Sequence, residues 1–158
     1  MTLSPVGFVK NSFNERPPEP GRIRKEPSKI VVFPRYADGL YRIREHKHLE
    51  VIFYFHRSKG YMLKCKTPHW GVRGVFASRS PYRPAPLGLM KVELISVRGN
   101  ELIVKGLDAL NGTPVVDIKP YVARWGSKRG KGYNGKGKRP EGRDQGFIGK
   151  RRPEKASR

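Results

Sequence analysis

Arg79-Ser80-Pro81-Tyr82-Arg83 places two guanidiniums, a hydroxyl and a phenol within five consecutive residues. Guanidinium groups hold carboxylates and phosphates through parallel, charge-assisted hydrogen bonds, so the segment suits an anionic or carboxylate-bearing ligand. Pro81, Pro84 and Pro86 each fix φ and remove a backbone donor. Ser80, Arg83 and Ala85, which precede them, are biased toward extended backbone. The loop is therefore stiff and loses little entropy when it binds. Val75 and Phe76, just upstream, are strand-prone and lead into it as a β-strand. A proline-rich surface loop without a ligand has the same composition, and the residues of the loop leave both readings open.

Other reactive side chains form no familiar set. His46 and His48 are two apart, His56 and His69 lie elsewhere, and Cys65 is the single cysteine, so no metal site with zinc-type spacing is expected. There is no nucleophile-elbow motif for a Ser-His-Asp triad. Asp108 precedes Leu110-Asn111-Gly112 and would serve there as an Asx-turn residue. His56 ends an apolar run, where a histidine can cap backbone groups.

The elements that must position these residues are mostly strands. Residues 5–10 read as a first strand, 11–27 as a loop rich in proline (Pro17, Pro18, Pro20, Pro27), and Lys29 to Phe33 as a short second strand. Ala37, Leu40, Tyr41 and Arg44 have helical spacing, so 36–44 is expected to form a short helix, weakened by Gly39. Leu49 to His56 is almost continuous in β-branched and aromatic residues, which predicts a strand buried on both faces. Tyr61 to Lys66 alternates as another strand. Leu87 to Val97 alternates Met90, Val92, Leu94 and Ser96 with Lys91, Glu93, Ile95 and Val97. Arg98-Gly99-Asn100 turns it into Glu101 to Leu107, giving a hairpin. A second turn at 110–113 leads into a last strand, Pro114 to Ile118. Short strands with little helix imply a mainly β chain built as a closed or partly closed sheet. No internal repeat is visible.

Composition bounds the partners. The chain has 158 residues and a net charge of +21, which favours one domain and a polyanionic partner, nucleic acid first and an anionic membrane surface second. No apolar run approaches the ~20 residues of a membrane span. The N-terminal MTLSPVGFVK lacks signal-peptide order, and one cysteine makes no intrachain disulfide. A cytoplasmic protein is expected. Residues 123–158 hold eight glycines and 13 Lys/Arg against three acids, a net +10. Such a tail cannot bury enough apolar surface to offset its ordering entropy and should be disordered on its own. Its Trp125, Tyr133 and Phe147 can stack on bases or tether the tail, and Arg124, Lys128 and Arg129 can meet phosphates. The expected organisation is a domain over 1–122, itself carrying +11, and a basic tail over 123–158.

Four strings carry a family resemblance: RGVFASRSPYRPAPLG (73–88), GLDALNGTPVVDIKPY (106–121), VGFVKNSF (6–13) and HLEVIFYFHR (48–57). Over residues 5–122 the chain resembles the TsaA-like family, also called TrmO-type tRNA methyltransferases. The resemblance implies a small single-domain β-barrel with one or two short helices that binds S-adenosylmethionine. It further implies methylation of N6 of threonylcarbamoyladenosine beside the tRNA anticodon, and a homodimer. By position it assigns donor contacts to His56, Arg57, Arg79, Leu89 and the segment Lys105, Gly106, Leu107 and Asp108. Asp108 can bond the donor or accept the N6 proton, and is the tentative catalytic residue. Tyr82, Arg83 and Lys119 fall to the RNA side, although Lys119 and Asp117 equally form a structural ion pair.

The chain departs from the family in three places. Pro-Arg-Gln before a Pro-Gly is here Pro17-Pro18-Glu19 before Pro20-Gly21, so the arginine is lost unless Arg16, Arg22 or Arg24 replaces it. The family's R-P-N-P-I-G is Arg83-Pro84-Ala85-Pro86-Leu87-Gly88. Bacterial relatives add a C-terminal domain where this chain has the basic tail. Donor binding is expected to survive these changes; the acceptor is the open question. The alternatives are a non-catalytic RNA-binding barrel and a methyltransferase of the same fold with another acceptor.

Overall fold

A computed structural model describes residues 2–15, 19–67 and 71–122. The tail residues Arg124, Lys128, Arg129, Trp125, Tyr133 and Phe147, and the expectation of disorder there, lie outside the described residues, as do Arg16, Pro17, Pro18 and His69.

Six strands close a barrel: β1 (Gly7–Lys10), β2 (Ser28–Val32), β3 (His48–Tyr54), β6 (Leu87–Arg98), β7 (Glu101–Lys105) and β8 (Pro114–Pro120). Their order around the barrel is β1-β2-β7-β6-β3-β8, with β8 pairing back to β1. Every pairing is antiparallel. β4 (Lys64–Thr67) and β5 (Gly71–Gly74) form a separate two-stranded hairpin. The core is the inward set of alternate residues, led by Val9, Ile30, Leu49, Val51, Phe53, Leu102, Val104 and Val115, each almost inaccessible to solvent. Among the described residues no helix is long and apolar enough to cross a membrane.

Several expectations need correction. β3 is buried on one face, not two: Leu49, Val51 and Phe53 point inward, Glu50 and Ile52 are half-buried, and Tyr54 is exposed. In a closed barrel a strand's outer face meets solvent however apolar it is. β6 does not keep its alternation. A register shift between Leu94 and Ser96 opposite β7 brings both Leu94 and Val97 onto the core, as a bulge does by inserting one unpaired residue. The helix expected over 36–44 is two 3₁₀ segments, Pro34–Leu40 and Ile43–Glu45, separated by Arg42 at φ 61°.

The 11–27 loop contains a short helix, α1 (Pro20–Lys25). Proline at its first position lacks an N–H that would have no partner there. Arg22 pairs with Glu26 at 2.7 Å and its guanidinium lies 5.2 Å from the Phe13 ring centre. Gly106 N donates to Ile23 O at 3.0 Å and ties the helix to the end of β7. Tyr61, Met62 and Leu63 precede β4 rather than belonging to it. Val75 and Phe76 are not strand either: Val75–Ala77 is a 3₁₀ turn after β5. In that turn Val75 is 1% exposed and Phe76 78%.

Candidate functional site

A cleft of about 950 Å³ opens at one end of the barrel. Four distant segments wall it: the end of β3 with residues 55–58, the proline loop from Phe76 to Arg83, the start of β6, and the turn 108–113, with Glu15 at its edge. Phe53, Phe55, Leu87 and Met90 give it an apolar floor. Phe53 and Phe55 meet edge-on at 5.3 Å between ring centres. Gly88 pairs with Phe53 across β3 and β6, and a Cβ at 88 would overlap the Phe53 ring. Glycine there keeps the floor flat.

Backbone bonds hold the proline loop in shape. Val75 N donates to Leu63 O at 2.9 Å and Met62 N to Tyr82 O at 3.2 Å, fastening the loop to the hairpin. Ser78 Oγ donates to Val75 O at 2.9 Å. Arg83 Nη1 donates to the carbonyls of Ser78 (2.9 Å) and Val75 (3.1 Å). Arg83 thus clamps the loop from inside, whereas Arg79 is exposed and makes no hydrogen bond or ion pair among the described residues. The same is true of Arg57. Two free guanidiniums therefore face one cleft.

Asp108, in the turn 108–113, is half-buried in the cleft wall, also without a hydrogen bond among the described residues. Loss of water around it raises its pKa above the ordinary carboxylate value. His56 keeps an exposed edge, yet its pKa is lowered, first by partial burial and then by the Arg57 charge, which favours the neutral ring. Thr113 Oγ1 sits 3.3 Å from His56 Nδ1.

The cleft brings together His56, Arg57, Arg79, Leu89, Asp108, Tyr82 and Arg83. It does not include Lys105, Gly106 or Leu107. Leu107 is buried in the core, Gly106 binds α1, and Lys105 ends β7; the acid after them is the part of that segment that reaches the cleft. Lys119 lies on β8 in an ion pair with Asp117, away from the cleft. Arg22 and Arg24 do not line it, and Arg22 is taken by Glu26. Among the described residues no three His, Cys, Asp or Glu side chains group as metal ligands. Sequence reasoning missed Glu15, Phe53, Phe55, Phe76 and Thr113. Only the alternation of β3 could have signalled Phe53; the others depend on how the barrel closes.

The barrel has counterparts among known proteins. Residues 8–127 match the family described as the tRNA-methyltransferase O N-terminal domain. The chain belongs to this family. An S-adenosyl-L-methionine-binding protein of Archaeoglobus fulgidus is 42% identical over 124 residues, 77% of this chain and 89% of that protein. The human tRNA (adenine(37)-N6)-methyltransferase is 32% identical over 143 residues, 80% of this chain but 31% of the human protein. The crystal structure of TrmO from Pseudomonas aeruginosa superimposes with a TM-score of 0.63 at 30% identity, over 77% of this chain and 56% of the other. This chain thus spans most of the archaeal relative, about a third of the human one and just over half of the bacterial one.

Proposed function

We propose that this member of the tRNA-methyltransferase O family is an S-adenosylmethionine-dependent methyltransferase acting on N6 of an adenosine beside the tRNA anticodon, with threonylcarbamoyladenosine as the acceptor. The observation that carries the reading is the charge pattern of the cleft. Two guanidiniums without counter-ions among the described residues, on Arg57 and Arg79, line the same cleft as a half-buried carboxylate with no hydrogen bond among them, on Asp108. A donor with an amino-acid carboxylate meets the first need on the arginines, and leaves the acid for the acceptor. The apolar floor of Phe53, Phe55, Leu87 and Met90 suits an adenine. The residues present therefore fit the donor, which supplies an electrophilic methyl group on a sulfonium.

The protein's own work is to hold donor and acceptor in line, which removes most of the entropic cost of a two-substrate reaction. Arg79 and Arg57 anchor the donor. Asp108, with its raised pKa, takes the proton that leaves N6. Neutral His56, tied to Thr113, shapes the wall without adding charge. The named relatives and the net charge of +21 support RNA as acceptor. A homodimer in the cytoplasm completes the reading.

Radiolabelled methyl transfer to tRNA with and without the threonylcarbamoyl group tests it. Label on the modified tRNA alone is expected. Transfer to neither RNA, with no donor binding by calorimetry, would leave a non-catalytic RNA-binding barrel. Donor binding with transfer to another molecule would mean a different acceptor.

A further inference from the structure

From Val51 to Val92 the chain has eight Lys/Arg and no Asp or Glu. The five ion pairs among the described residues all fall outside this stretch. Its cations therefore form no ion pair with acids among the described residues. Lys64, Lys66 and Arg73 are exposed on the β4–β5 hairpin. Lys64 and Lys66 share one face of the hairpin with Val72, which pairs with Lys66 and is 62% exposed, while Arg73 pairs with Cys65 on the other face. Tyr61 and Leu63, 61% and 62% exposed, lead into β4. Phe76 is 78% exposed and yet lines the cleft. Its backbone is anchored next door, because Val75 is buried and the Val75 amide is bonded to Leu63 O.

We propose that the β4–β5 hairpin and Phe76 form an RNA-docking arm that receives the unpaired nucleotides next to the acceptor base, with Phe76 as a stacking face at the cleft mouth. The inference rests on the tRNA reading above and adds the surface that carries the RNA. Single-stranded RNA needs cations that follow a backbone and flat faces on which bases stack without sequence preference. The arm offers both, cations on its two faces and aromatic rings at its base. An aromatic ring as exposed as Phe76 contributes little to the barrel, but a base laid on it would gain a full stacking contact. A second copy of this chain is a poorer occupant, since it would set two acid-free cationic stretches against each other. The arm is fastened to the proline loop by Met62 N to Tyr82 O and by Cys65 Sγ, 3.3 Å from Ser78 Oγ. Docking there would deliver the neighbouring base to the wall that holds Arg79.

Fluorescence anisotropy of a labelled anticodon stem-loop, at three salt concentrations and without donor, tests the arm. Lys64→Glu/Lys66→Glu/Arg73→Glu should bind at least tenfold more weakly at low salt and show a salt slope shallower by about two, at ~0.7 per lost single-strand contact. Phe76→Ala should lose roughly 5- to 150-fold with an unchanged slope, the range for one base–aromatic stack. Phe76→Tyr should keep most of the affinity. Wild-type affinity and slope in the triple variant would overturn the proposal. So would a triple variant whose only change is its oligomeric state in sedimentation, which would mark the hairpin as a self-association surface. Calorimetry of the wild-type protein with S-adenosylmethionine separates the two conclusions. A protein that ignores the donor but needs the arm for RNA loses the enzymatic reading and keeps the arm; one that binds the donor but not RNA through the arm loses only the arm.

Discussion

Thr113 Oγ1 and His56 Nδ1 stand 3.3 Å apart, joining the turn before β8 to the end of its neighbour β3 along the cleft wall. Thr113 is 3% exposed, so its hydroxyl depends on the protein for a partner. The depressed pKa of His56 gives this contact a pH dependence. The folded protein binds the imidazole proton less tightly than the unfolded chain, whose value is near 6.5. The stability contributed is therefore full above that value and is lost as pH falls from it toward the lower folded value. Thermal unfolding between about pH 8 and pH 5 should show the loss in the wild type and less of it in His56→Gln. Parallel curves for the two proteins would assign the loss to other groups.

Gly88 is the position where the floor of the cleft tolerates least. Gly88→Ala forces the Phe53 ring aside and should cost about 1–3 kcal/mol, as overpacking does. Gly88→Ala/Phe53→Leu should recover part of that cost, because the two sites are in contact and their effects are not additive. Urea unfolding of the four proteins in the cycle measures the coupling; strict additivity would contradict the clash.

Arg79→Ala should leave the fold intact, since the side chain is exposed and bonds nothing among the described residues. Donor affinity should fall roughly 10- to 150-fold, the scale for a lost charged hydrogen bond. Arg83→Ala should differ in kind. It removes the loop's internal clamp, so donor affinity and thermal stability should fall together. Calorimetry and unfolding on the same samples separate the two arginines.

Asp108→Asn should lower single-turnover methyl transfer by about 10²–10⁴, the range for one acid–base group. The wild-type rate should fall as pH drops through a value above the ordinary carboxylate range, in line with the raised pKa. Stability should move the other way. A carboxyl whose folded pKa is raised favours the protein at low pH, and that contribution is lost as pH rises through the folded value. At neutral pH the ionised group is a net cost, so Asp108→Asn should unfold at a higher temperature than the wild type. A variant less stable and fully active would make Asp108 a turn residue.

Much of the barrel can be read from single residues. Leu49, Val51 and Phe53, or Leu102 and Val104, declare their strands because alternation reports one buried face. What escaped was short or depended on closure. α1 is a six-residue helix set among prolines, too brief for periodicity to register. Val75–Ala77 looks like strand by composition, but Val75 is pulled into the interior and the chain must turn there. The bulge of β6 changes which face Val97 shows without leaving any mark in the residue types. The same limit applies to the cleft. Arg79, His56 and Asp108 were legible through long specific strings, whereas Phe55, Phe76 and Thr113 join the site only because distant strand ends meet.

The barrel is fastened unevenly. Its β1–β8 seam has a regular register of only Gly7 with Val115 and Phe8 with Pro114, while β3 and β6 stay in register from His48 to Tyr54. Thr113 lies at that seam and in the cleft wall together, and accepts from Val9 N at 2.9 Å, as Val115 does from Val6 N at 2.7 Å. Breathing of the seam must therefore loosen the wall, and anything resting on the wall must quiet the breathing. Deuterium uptake at the amides of Val6 and Val9, which touch nothing in the cleft, becomes a gauge of whether it is filled.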